Sequence, residues 1–232
     1  YKRQVERSID KMGEFYSKCD KKVFSKVFMA DTRKMFTGDF PEEANKLLLE
    51  RPPKIIVTSP PYGDSRTTVA YGQFSRLSSL WLDFEEGFNR KLIMSVDKIS
   101  LGGNPKNILK LNLSTLEQTL EAIAINSKER ALDCASFFSD LYECLRNMYK
   151  SLDKDGYCCI VIANRTIRRV QVPTHAIIAE MGVKIGFNND VIIIPRRIPS
   201  KRLPWKNAPE NIPGLKGKTM SKENIVIMKK GP

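Results

Sequence analysis

The sequence predicts an α/β domain built on a parallel sheet. Three observations lead there. Helical and strand-like patterns alternate along the chain, which sets strands side by side with right-handed crossovers. Ile55-Ile56-Val57 is a short β-branched apolar run, the pattern of a strand covered on both faces, and it stops at Pro60-Pro61. Towards the end, residues 183–196 and 223–229 read as a closing antiparallel pair.

The elements follow in order. Residues 1 to about 19 read as an amphipathic helix, with Val5, Ile9, Met12, Phe15 and Tyr16 on one face. Residues 26–30 read as a strand ending at Asp31-Thr32-Arg33. Pro41-Glu42-Glu43 opens the next helix as the macrodipole prefers, and Leu47, Leu48 and Leu49 are expected to bury one side. Arg51-Pro52-Pro53 ends it and leads into the Ile55 strand, expected to be central in the sheet. Two prolines cannot donate to a ladder, so that strand must end in a stiff loop at its carboxyl end, where open α/β sheets bind ligands.

A polar loop follows to about Ser75, rich in Ser, Thr, Gly and Arg. Residues 84–127 read as an insertion, either a recognition element or a plain helical embellishment, with residues 115–125 helical. Residues 128–152 are a strong helix whose apolar positions, Cys134 to Leu152, recur every three or four residues. Asp153-Lys154-Asp155-Gly156 is a turn, and residues 157–163 are the next buried strand, with Arg165, Arg168 and Arg169 at its end. Residues 174–181 form a helix with Gly182 as its expected C-cap. A basic, Pro-rich loop, residues 197–221, joins the last two strands.

Composition narrows the function. The 232 residues suffice for one domain with a real core, and the chain is taken as a single domain. It begins at Tyr1 rather than Met, so its true start is expected upstream. Lys and Arg number 39 against 26 Asp and Glu, a net charge of +13. Such a balance suits a polyanionic partner, with a generically basic protein as the plain alternative. No apolar run reaches the 18 residues of a membrane span, and no signal-peptide pattern opens the chain, so a cytoplasmic protein is expected. Cys19, Cys134, Cys144, Cys158 and Cys159 lack zinc-ligand spacing and are odd in number, which points to reduced thiols. His175 is the single histidine, so no metal site is expected.

Ser59-Pro60-Pro61-Tyr62 resembles the catalytic motif of the amino-group DNA methyltransferases, where Asp, Asn or Ser precedes Pro-Pro and an aromatic residue. Read without that resemblance, the quartet is a strand-ending turn. Thr58 before it and residues 63–76 after it look like the corresponding segment of a subgroup of cytosine-N4 enzymes in restriction–modification systems. Serine in the first position is typical of N4 enzymes and is shared by some adenine-N6 enzymes.

The resemblance implies a Rossmann-like S-adenosylmethionine-dependent fold, here without its first two strands and with a terminal antiparallel hairpin. It implies that Ser59, Pro60, Pro61 and Tyr62 are catalytic, with Asp31 and Thr58 on the cofactor side. For Asp31 the alternative is a helix N-cap or turn residue. It further implies double-stranded DNA as partner, with Arg66, Arg76, Arg165, Arg168, Arg169, Lys201, Arg202 and Lys206 as candidate phosphate contacts.

The family's Gly-rich cofactor loop has no counterpart in the chain. Gly102-Gly103 follows no apolar strand, and Asp155-Gly156 is a turn. The expectation is therefore a fragment, a subunit paired with a second chain or segment carrying that loop, or a remnant. Alone, it should bind S-adenosylmethionine weakly or not at all. Competing readings are a non-catalytic DNA-binding protein and an RNA or protein amine methyltransferase.

Overall fold

The structure, a computed structural model, describes residues 2–19, 24–62, 108–197 and 222–232. It divides into two compact units, Tyr1–Ala30 and Asp31–Pro232.

In the first unit, helix α1 spans Lys2–Lys18. Val5, Ile9, Met12, Phe15 and Tyr16 form its apolar stripe, and all five are exposed. Residues 24–30 form no strand, contrary to expectation. Val27 and Met29 are 92% and 86% exposed. Their β propensity describes a side chain packed on a pleated surface, and no described strand pairs with them to provide one.

The second unit opens with Asp31 capping a single 3-10 turn, Thr32–Lys34, by accepting from the Arg33 N–H. Asn147 fastens that turn to the core, donating its Nδ2 to Thr32 O at 2.9 Å and Arg33 O at 3.0 Å. Helix α2 spans Glu42–Glu50 with both acids in its first turn. Ala44 is its buried residue, and Leu49 is 71% exposed, so the leucine trio does not form the buried side.

Strand β1 is Ile55–Thr58. Helices α3, Ser114–Asn126, and α4, Lys128–Ser151, follow, joined at Ser127, whose Oγ accepts from the Arg130 N–H. The long helix stands where the periodicity put it, and it sends Cys134, Phe137, Phe138, Leu141 and Leu145 into the core. Leu116 and Ile123 of α3 join that core. Truncating the fully buried Phe138 to alanine would cost about 3–5 kcal/mol.

Strand β2 is Tyr157–Ala163. Gly156 sits before it because a Cβ there would collide with Leu152 Cδ2 and lie 3.1 Å from Lys54 O. A short hairpin follows, β3 (Arg165–Ile167) and β4 (Val170–Val172), which sequence reasoning did not foresee. Helix α5 spans Thr174–Ile185 and ends at Gly186, φ 127°, rather than at Gly182. Gly182 lies inside the helix, where a Cβ would collide with Met228 Sδ. It is small for close packing, whereas Gly186 is glycine for its backbone.

Strands β5, Ile192–Arg197, and β6, Lys222–Lys229, complete a sheet of order β1-β2-β6-β5. β1 and β2 are parallel, and β6 runs antiparallel to both β2 and β5. The closing pair is thus present, although it begins at Ile192 because residues 183–185 still belong to α5. β1 is an edge of the described sheet, not a central strand. One face, carrying Cys158, Ile160, Ile162, Val226 and Met228, packs into the core with α4 and α5. The other carries Ile55 and Val57, 62% and 71% exposed, with Val57 in register across the sheet with Cys159, Ile227 and Ile192. The expected burial of β1 on both faces is therefore corrected: among the described residues, one face is open.

Candidate active site

β1 ends at Thr58, opposite Ile160, while β2 runs on to Ala163. The turn Ser59-Pro60-Pro61-Tyr62 therefore lies beside the overhanging end of β2. Ser59 is exposed, and Thr58, Pro60, Pro61 and Tyr62 are half-buried. Pro61 holds Pro60 extended, and neither proline can donate to a ladder, so β1 cannot continue.

Three strands meet at this end. The Tyr62 hydroxyl donates to Glu223 Oε1 at 3.1 Å. Glu223 Oε2 accepts from Arg196 Nη2 at 2.5 Å. Arg165 Nη1 donates to the Tyr62 carbonyl at 3.4 Å. Arg196 and Glu223 are ladder partners, and Ala163 is the β2 partner of Glu223. The Glu223 side chain is 15% exposed. Its hydrogen bond and charge raise the pKa of the Arg196 guanidinium. Sequence reasoning missed Glu223 and Arg196; the signal was an acid at the head of an apolar strand, which has meaning once the strand order is known.

Asn164, the residue after β2, reaches the first turn of α5. Its Oδ1 accepts from the His175 backbone N–H at 3.5 Å and lies 2.8 Å from His175 Nδ1. A carbonyl oxygen only accepts, so Nδ1 carries the ring proton and Nε2 the lone pair. Burial lowers the His175 pKa, so the ring is neutral at pH 7.

Asp31 is drawn to α4 instead. Arg33 Nε and Nη2 lie 3.0 and 2.7 Å from Asp31 Oδ1 and Oδ2, and Arg33 Nη1 lies 2.9 Å from Asp140 Oδ2. The Arg33 hydrogen bond holds the Asp31 carboxyl below its ordinary range, and Asp31 in turn raises Arg33. Nearby, burial pushes the Cys144 thiol up to about 12. Of the two roles open to Asp31, the N-cap is the one this geometry displays. Among the described residues no cluster of His, Cys, Asp or Glu could hold a metal ion.

No protein-family model matches the chain. Over 182 residues the chain is 40% identical to the type II methyltransferase M.MvaI of Kocuria varians, an alignment covering 75% of this chain and 40% of that protein. Over those residues the chain is a relative of the type II methyltransferases. It spans less than half the length of the relative it matches. A Thermus thermophilus protein described as a putative DNA modification methylase superposes with a TM-score of 0.37 at 17% identity, covering 88% of this chain and 53% of that one. Its selenomethionine form gives 0.31 at 23% identity, covering 49% and 50%. Similarity that low carries no argument about the site.

The candidate cations divide into two groups. Arg165 opens β3 beside Tyr62, and Arg168 and Arg169 form the two-residue tip of the β3–β4 hairpin. Both tip residues have positive φ, 45° and 69°, as a type I′ turn requires. Arg66, Arg76, Lys201, Arg202 and Lys206 lie outside the described residues, as do residues 84–107 of the expected insertion and residues 198–221 of the basic loop.

Proposed function

We propose that this chain is the target-base half of a DNA methyltransferase acting on the N4 amine of cytosine in double-stranded DNA. The observation that carries the reading is the placing of Ser59-Pro60-Pro61-Tyr62 at the carboxyl end of β1, beside Arg165. An exocyclic amine is a poor nucleophile because its lone pair is delocalised into the base. Ser59 Oγ and the Pro60 carbonyl accept its two N–H bonds, which favours a pyramidal nitrogen and frees the lone pair. Tyr62 stacks on the flipped base, whose extrusion costs a few kcal/mol. Arg165, Arg168 and Arg169 take backbone phosphates, with Arg66, Arg76, Lys201, Arg202 and Lys206 proposed for the same task.

S-adenosylmethionine is the methyl donor that the methyltransferase relationship implies. The described residues do not complete a pocket for it. Asp31 is engaged by Arg33 through both oxygens, and no described glycine follows a strand and opens a helix. Thr58, at the end of β1, is the other residue proposed on the cofactor side. The Gly-rich loop is proposed to come from a further segment or second chain. The open face of Ile55 and Val57 and the place of β1 at the edge of the described sheet support that arrangement, since a sheet of this class is ordinarily covered on both sides.

The engaged Asp31 also favours a second reading, a DNA-binding chain that no longer methylates. One experiment separates them. The full chain is expressed in a host free of N4-methylcytosine and N6-methyladenine, with and without the segment encoded beside it, and the hydrolysed DNA and RNA are analysed by mass spectrometry. N4-methylcytosine in DNA that disappears with Ser59→Ala or Tyr62→Ala supports the enzyme. N6-methyladenine corrects the base, and methylated RNA alone rejects the DNA substrate. Salt-sensitive DNA binding with no methylated base under either condition favours the second reading.

A further inference from the structure

We propose that Glu223 is the positioning residue of Tyr62, holding the ring by its hydroxyl while Arg196 holds the carboxylate from the neighbouring strand. The inference rests on the reading of Tyr62 as the ring that stacks on the target base.

The two residues lie 161 positions apart and meet at 3.1 Å. Glu223 is an unusual residue for its place. It stands near the head of a strand whose inward face carries Asn224, Val226 and Met228, and its own side chain, on the opposite face, is 15% exposed. Arg196, on the neighbouring strand in the same ladder position, donates to the carboxylate at 2.5 Å. The third member of the cross-strand column is Ala163. Column partners project to the same face, and at Ala163 that projection is one methyl group. A longer side chain there would stand between the end of β1 and Glu223.

Tyr62 needs such a tether. It sits on a turn that pairs with no described strand, so no ladder among the described residues fixes it. A stacking ring left to rotate about two side-chain bonds would meet a flipped base in the wrong plane most of the time, and misplaced groups lose rate. The structure holds Tyr62 at both ends. Arg165 takes its carbonyl and Glu223 takes its hydroxyl. A hydrogen bond to a charged acceptor is the stronger kind, suited to holding a ring that is part exposed.

The test is a double-mutant cycle with Tyr62→Phe, Glu223→Ala and the pair, in the full chain together with the segment or second chain that supplies the Gly-rich loop, read by methyl incorporation into unmodified DNA. Each single variant should lose about tenfold, and the pair should lose about tenfold rather than about a hundredfold, because both remove one hydrogen bond. Glu223→Gln, whose amide oxygen still accepts from the phenol, should recover most of the loss; its own effect should vanish in the Tyr62→Phe background, which serves if Glu223→Ala does not fold. Multiplying losses overturn the proposal, as does an unaffected Glu223→Ala when Tyr62→Ala is inactive. An active Tyr62→Ala instead sinks the base-stacking role. There, and where the wild type transfers no methyl group, the tether is decided on ring order alone, from NMR of ¹³C-labelled tyrosine. In Glu223→Ala the Tyr62 ring signals should move or broaden while those of Tyr149 and Tyr157 stay. Unchanged Tyr62 signals overturn it.

Discussion

One side-chain oxygen, Asn164 Oδ1, faces both the backbone N–H and the ring Nδ1 of His175, joining the end of β2 to the first turn of α5. Burial holds His175 below the ordinary histidine pKa. The folded chain therefore binds fewer protons than the unfolded chain in the window between the two values. The stability this adds is present above the unfolded value, about 6.5, and is lost as pH falls through the folded one. Urea midpoints should fall between pH 7.5 and pH 5.5. In His175→Gln the slope should flatten.

The tip of the β3–β4 hairpin places two arginines in left-handed backbone, where Asn-Gly would be the usual choice. Replacing Arg168 by Asn and Arg169 by Gly should leave the turn formed. Duplex DNA binding should weaken, and the slope of log K against log salt should shrink by about 0.9 for each phosphate that is no longer neutralised. An unchanged slope would remove these residues from the interface.

The two glycines of α5 and its cap should fail for different reasons. Gly186→Ala strains a backbone at φ 127° beside the Tyr149 ring, and a cost of about 1–3 kcal/mol should persist whatever its neighbours are. Gly182→Ala meets Met228 Sδ, and overpacking of this kind also costs about 1–3 kcal/mol. Met228→Ala should relieve part of the second cost and none of the first, measured by denaturant midpoints of the single and double variants.

Asp31 offers a test of its two roles. Asn is as good an N-cap as Asp, so Asp31→Asn should keep the 3-10 turn while losing the charge that pairs with Arg33. Asp31→Ala should lose about 1 kcal/mol more through the cap. If calorimetry on the assembled enzyme shows Asp31→Asn to weaken S-adenosylmethionine binding at unchanged stability, the carboxylate serves the cofactor as well.

Local chemistry made much of this structure readable in advance. The α4 stripe, the β2 run and the diproline stop carry their reasons within a few neighbouring residues. What escaped prediction depended on distant partners. Val27-Phe28-Met29 has strand propensity without a described strand to pair with. Gly182 resembled a cap until Met228 of β6 came against it. Arg168-Arg169 carries no glycine or asparagine to announce a hairpin. Tyr62 could be singled out from its quartet, whereas Glu223 becomes visible as its partner when β6 is placed next to β2.

The open sheet face bears on how this chain behaves in a tube. Isoleucine and valine at Ile55, Val57, Ile192 and Ile194 stand exposed on a protein of net charge +13. At low ionic strength like charge keeps copies apart; added salt screens that repulsion and leaves the apolar contact untouched. The salt expected to strip DNA from the proposed arginine contacts is thus the salt expected to drive the chains to clump. Purification must pass between those two limits, or keep the greasy face occupied.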